Sequence, residues 1–133
     1  MRGIILLGAL ALMACNPPTR DGAGGFETIS ASVIDTPRCV FTPADGSEGI
    51  AFATYRDNPD FMAVVRYKGE TLKLVPREAP VFDGETFDIT YEVIDYLKWQ
   101  VRAVSEDGVG AIRLVRDGVE TGTTLDMVGS CDG

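Results

Sequence analysis

The sequence contains no histidine. That absence excludes a Ser-His-Asp or Cys-His catalytic arrangement and a histidine-ligated zinc. Basic residues are scarce too: 12 Lys+Arg stand against 20 Asp+Glu, a formal charge of −8. Nucleic-acid binding needs basic patches to neutralise phosphates, so it is excluded as a function class. The same balance opposes adhesion to an anionic membrane by charge alone. It suits a basic partner, which an acidic field steers inward; solubility alone is the competing explanation. No apolar run is long enough to span a bilayer as a helix, which takes about 20 apolar residues. No repeat and no second linker follows Gly25.

What is present begins with MRGIILLGALALMACNPPTRDGAGG. Met1-Arg2 is a short positive start, Gly3 to Met13 is uncharged and apolar, and a small residue, Ala14, precedes Cys15. This is the tripartite form of a secretory signal. The ending Leu12-Met13-Ala14-Cys15 resembles the bacterial lipobox. That resemblance implies loss of residues 1–14 and acylation of the Cys15 thiol and of the new amino terminus; an ordinary signal cut elsewhere is the alternative. Stable anchoring takes more than one acyl chain, at about 0.8 kcal/mol per buried CH₂, and a triacylated cysteine satisfies that. Asn16, where an Asp would suggest inner-membrane retention, implies the outer membrane with the protein facing the periplasm. The polar, Pro/Gly-rich stretch that follows reads as a tether over residues 15–27, leaving residues 28–133 as one domain, within the usual size range.

With Cys15 lipidated, only Cys39 and Cys131 remain, and two cysteines allow one intramolecular pairing. The periplasm permits a disulfide. Two free buried thiols are the alternative.

Hydrophobic residues alternate with period two. Gly49–Arg56, Phe61–Tyr67 and Glu70–Val75 read as a meander, broken by Asp57-Asn58-Pro59-Asp60 and Lys68-Gly69. On the second of these, Phe61, Ala63, Val65 and Tyr67 share a face. Thr86–Val93 places Phe87, Ile89, Tyr91 and Val93 on one face; Leu97–Val104 does the same with Leu97, Trp99, Val101 and Ala103. Asp117-Gly118 is a two-residue hairpin signal. Arg38–Thr42 supplies the first strand and Thr123–Cys131 the last. About eight short strands predict an all-β fold, a small antiparallel eight-stranded barrel or a sandwich. A helix over Glu85–Val104 is the competing assignment, disfavoured by the β-branched and aromatic content. In a barrel, a Cys39–Cys131 bond joins first and last strands and locks the seam.

A cysteine in the first strand, GIAFATYRDNPDFMAVVRYKGETLKL as a meander, a Trp-bearing strand, GAIRLVRDG and a terminal cysteine together resemble the MliC/PliC family. These are membrane-bound or periplasmic inhibitors of C-type lysozyme. The likeness covers about Arg38 to Cys131. It implies an eight-stranded barrel, a C-type lysozyme as partner, and inhibition by loops that enter the enzyme's cleft. The family's Ser-bearing and Lys-Gly-bearing loop segments are not matched: PREAPVFDGETF has no serine, and KWQVRAV keeps Trp99, implied core, without a following Lys-Gly. A structural or small-ligand envelope module of the same fold is therefore the second reading.

The candidate partner-binding residues are Phe82, Asp83, Glu85 and Lys98. Val81-Phe82 is an apolar pair in the long loop, flanked by acids that suit a basic surface; the alternative for Phe82 is a plug that folds back on the barrel. Asp57–Asp60 and Asp45–Glu48 lack EF-hand spacing and read as turns, so no metal or other cofactor is expected. Ser47, Ser105 and Ser130 have no spacing to Lys68, Lys73 or Lys98 that selects a nucleophile–base pair, so no enzyme is expected.

Overall fold

The computed structural model describes residues 25–132. The signal segment and Cys15 lie outside them. Nine strands follow in chain order: β1 Phe26–Glu27, β2 Pro37–Pro43, β3 Phe52–Tyr55, β4 Ala63–Tyr67, β5 Glu70–Pro76, β6 Phe87–Val93, β7 Trp99–Glu106, β8 Val109–Arg116 and β9 Val119–Cys131. One 3₁₀ turn, Ala31–Val33, links β1 to β2.

Strands β2 to β9 each pair antiparallel with the next, and β9 returns to pair with β2, from Met127↔Pro43 to Cys131↔Cys39. The result is a closed eight-stranded barrel, not a sandwich, and 86–104 is strand and turn rather than helix. Closure removes the edges that an open sheet would leave unpaired. Three connections, Lys68-Gly69, Asp107-Gly108 and Asp117-Gly118, place both central residues at positive φ. That is the primed hairpin turn whose twist matches paired strands, and it explains why the glycine stands second each time.

The disulfide joins Cys39 and Cys131, directly paired residues whose Cα atoms are 3.9 Å apart, across the β2–β9 seam. The expected staple is thus present where the barrel closes.

The interior is solid. Phe41, Phe52, Leu74, Tyr91, Ile112 and Met127 are almost fully buried. Phe41 meets Phe87 edge-on at 5.6 Å, and Phe52 meets Tyr91 at 5.9 Å. An eight-stranded barrel is just wide enough for side chains to fill, and aromatic side chains fill this one.

Three expectations need correction. The domain begins before residue 28: Phe26 and Glu27 pair with Tyr67 and Arg66, and Phe26 is 3% exposed. β3 pairs with only the first part of β4, through Ala53↔Val64 and Thr54↔Ala63, so β1 takes the vacant edge beside Tyr67. Apolar Phe26 gains burial there that a polar tether residue would not. Leu97 does not face inward; it is 92% exposed, because β7 starts at Trp99 and Leu97 lies in the preceding loop. Phe61 leaves the face of Ala63 and Val65 because it precedes the strand. It packs instead with Tyr55, edge-on at 5.5 Å, in a second cluster with Ile29, Ile50, Ala53 and Val64.

Candidate partner-binding surface

An up-and-down barrel has two ends, and alternate connections share an end. The disulfide end carries the start of β2, the β3–β4 loop, the long β5–β6 loop, the β7–β8 turn and the end of β9. The tether end carries β1, the β2–β3 loop, the β4–β5 turn, the β6–β7 loop and the β8–β9 turn.

The β5–β6 loop bends back on itself at Asp83-Gly84-Glu85-Thr86. The Asp83 N–H donates to the Thr86 carbonyl at 3.0 Å, and the Thr86 N–H donates back at 2.9 Å. Phe82 turns inward and packs edge-on against Phe87 at 5.2 Å. The Arg38 guanidinium lies 4.3 Å over its ring. Phe82 and Arg38 together stopper the disulfide end of the barrel. Its neighbour Val81 points out and is 78% exposed. Asp83 is exposed at the same tip.

Glu85 holds structure together. Its Oε2 accepts the Cys131 N–H at 3.1 Å, and its carbonyl accepts the Ser105 hydroxyl at 2.6 Å and the Gly108 N–H at 3.3 Å. Lys98 sits at the tether end, where its carbonyl accepts the Asp117 N–H at 2.8 Å. The structure therefore gathers Phe82, Asp83 and Glu85 near the disulfide and leaves Lys98 at the far pole. Of the three at this end, Asp83 alone is exposed, and its carboxylate makes no ion pair among the described residues. Trp99 is half-buried, lines the tether-end mouth and lies under Arg116 at 5.2 Å.

Residues not singled out from the sequence join Asp83. Asp35, Asp57, Asp60, Glu106 and Asp132 are all exposed at the disulfide end. The local bases are spent within the chain: Arg38 on Phe82, Arg56 on the Asp132 carbonyl, and Arg77 in an ion pair with Glu92. A groove of about 650 Å³ runs between the 3₁₀ turn and the β3–β4 loop, with Asp35, Tyr55, Asp57 and Asp132 on its walls. Burial, then the nearby Asp35 carboxylate, pushes the Tyr55 phenol up, so it stays a neutral donor there. The two calcium-like stretches are turns. Asn58 Oδ1 accepts the Asp60 N–H at 2.9 Å, and Asp45 Oδ1 accepts the Ser47 N–H at 2.8 Å. Among the described residues no group of three His, Cys, Asp or Glu could hold a metal ion.

On the barrel wall, Arg102 binds Asp88 at 2.7 Å and Glu120 at 3.3 Å. The hydrogen bond from Arg102 holds the Asp88 carboxyl below its ordinary range. Ion pairs this exposed contribute little to stability. Compared with protein-family models, curated proteins and solved structures, the chain has no match.

Proposed function

We propose that this chain is a lipid-anchored module of the outer membrane, facing the periplasm, that binds a cationic protein at the disulfide end of its barrel. A C-type lysozyme is the partner implied by the MliC/PliC resemblance, and the action is inhibition by occlusion of its cleft. One observation carries the reading: Asp35, Asp57, Asp60, Asp83, Glu106 and Asp132 are exposed together at the end opposite the tether, where the bases Arg38, Arg56 and Arg77 are engaged internally. Such a pole attracts a basic surface and raises the encounter rate by 10- to 10³-fold at low salt. The Val81–Asp83 tip supplies an apolar contact beside a carboxylate at the same end. The side chains that fill the middle of the barrel weigh against a ligand held in its centre, as the second reading in its small-ligand form would need.

The test is titration of the oxidised protein against a C-type lysozyme, following lysis of cell-wall substrate. Near-stoichiometric inhibition that weakens with salt is expected. Unchanged lysis with a folded, disulfide-bonded protein would sink the proposal.

A further inference from the structure

The tether end differs in chemistry from the acidic end. Leu97 is the most exposed large apolar side chain there, at 92%, and Val119 is 67% exposed. Tyr96 lines the mouth, its hydroxyl donating to Glu70 at 2.6 Å. The Asp117 N–H bond to the Lys98 carbonyl joins the two loops into one rim. Behind the rim the mouth is open: a cavity of about 260 Å³ is walled by Tyr67, Leu72, Val93, Trp99 and Leu114. Three cations, Lys68, Lys98 and Arg116, occupy this end; none is in a salt bridge among the described residues, and Lys68 and Arg116 lie over the Tyr67 and Trp99 rings at 5.5 and 5.2 Å. Asp45, Glu48, Glu70, Asp95 and Asp117 are exposed at the same end, so its charge is acidic on balance and its apolar groups carry any contact made there.

The chain enters the barrel at this same end. Phe26 pairs with Tyr67, and the Lys68 N–H donates to the Gly25 carbonyl at 2.8 Å. From Gly25 back to Cys15 is ten residues, which reach at most about 36 Å when extended. A lipid on Cys15 therefore keeps the tether end within one barrel's length of the bilayer. Aromatic rings, a projecting leucine and long cationic side chains are the chemistry of the membrane–water interface.

We infer that the tether end is a second, shallow membrane contact. Leu97 and Val119 enter the interface, Trp99 and Tyr96 lie at its level, and Lys68, Lys98 and Arg116 meet lipid phosphates. The occupant of this surface is a phospholipid bilayer. Docking there fixes the acidic pole outward, toward the periplasm; a tether alone would let the barrel turn freely. The inference rests on the lipid-anchor part of the proposed function and not on the lysozyme part.

The single tryptophan, Trp99, makes a site-specific probe. The chain from Cys15 to Gly133, disulfide intact, is coupled through Cys15 to a maleimide lipid in vesicles of phosphatidylethanolamine and phosphatidylglycerol. This makes the anchor independent of natural acylation, which mass spectrometry of the cell-derived protein tests separately. Lipids brominated near the top of the acyl chain are expected to quench Trp99, and Leu97→Asp is expected to abolish the quenching while coupling and circular dichroism stay unchanged. Equal Trp99 emission in brominated and plain vesicles would overturn the inference. So would Leu97-dependent dimerisation without bromine quenching, which would assign the surface to a second copy of the chain.

Discussion

Removing the disulfide is the perturbation whose size the structure fixes best. Cys39 and Cys131 are separated by 92 residues in sequence. Closing a loop of that length removes chain entropy from the unfolded state corresponding to about 4–5 kcal/mol at 25 °C. The native seam has pairing that does not depend on the bond. The Ala44 N–H donates to the Asp126 carbonyl at 2.9 Å, and β2 and β9 pair from Met127↔Pro43 to Cys131↔Cys39. A Cys39→Ala/Cys131→Ala double variant should therefore keep the barrel and lose most of that amount. Cys39 is fully buried, so a small packing loss adds to it. Urea unfolding followed by Trp99 fluorescence measures the difference. With a slope of about 1–1.5 kcal/mol/M for a domain of this size, the midpoint should fall by roughly 3 M or more, with a steeper slope because the open chain exposes more surface. A loss below about 1 kcal/mol with unchanged slope would refute the reasoning. It would mean that residual structure already holds the ends of the unfolded chain together.

The remaining expectations follow from packing and charge. Phe41→Ala should cost about 3–5 kcal/mol by chemical denaturation, since Phe41 is fully buried against Phe52 and Phe87; a cost under 1 kcal/mol would mean the barrel collapses into the space. Gly129→Ala should break the seam, because a Cβ there would lie 2.1 Å from the Val40 carbonyl oxygen. Its thermal midpoint should fall markedly, and hydrogen exchange should quicken at β2 and β9 before the other strands. Arg102→Ala should lower stability by no more than about 1 kcal/mol, Asp88 being half exposed. The Asp88 pKa is lowered in the fold, so this contribution is present above the unfolded carboxyl pKa and is lost as pH falls through the folded one. Wild type and variant should accordingly converge on acidification below pH 4, and a gap that persists in acid would contradict the assignment.

Much of the fold was readable because the meander is local. Alternation in Thr86–Val93 gave the inward set Phe87, Ile89, Tyr91 and Val93, all of them buried. The cysteine pairing followed from arithmetic on three residues. Strand ends were harder. Leu97 continues the alternation of β7 on paper, yet the backbone has not entered the sheet there. Phe26 reads as tether in the sequence because nothing local shows that β3 leaves part of β4 unpaired. The candidate surface was only partly legible. Phe82 and Glu85 carry interface-like chemistry, but one plugs the barrel and the other clamps the seam, through contacts with Arg38 and Cys131 that are remote in sequence. The signal for Asp57, Asp60, Asp83 and Asp132 lies in the strand order, since alternate loops of a meander share an end.

The most direct measurement compares charge at the two poles. Asp57→Asn/Asp60→Asn/Asp83→Asn at the disulfide end is set against Glu48→Gln/Asp95→Asn/Asp117→Asn at the tether end. Each protein is titrated against a C-type lysozyme by stopped flow at low and physiological salt. The account predicts a slower, less salt-sensitive association for the first variant and wild-type rates for the second. Equal losses from both variants, or no binding by the folded wild type, would contradict a directed acidic pole.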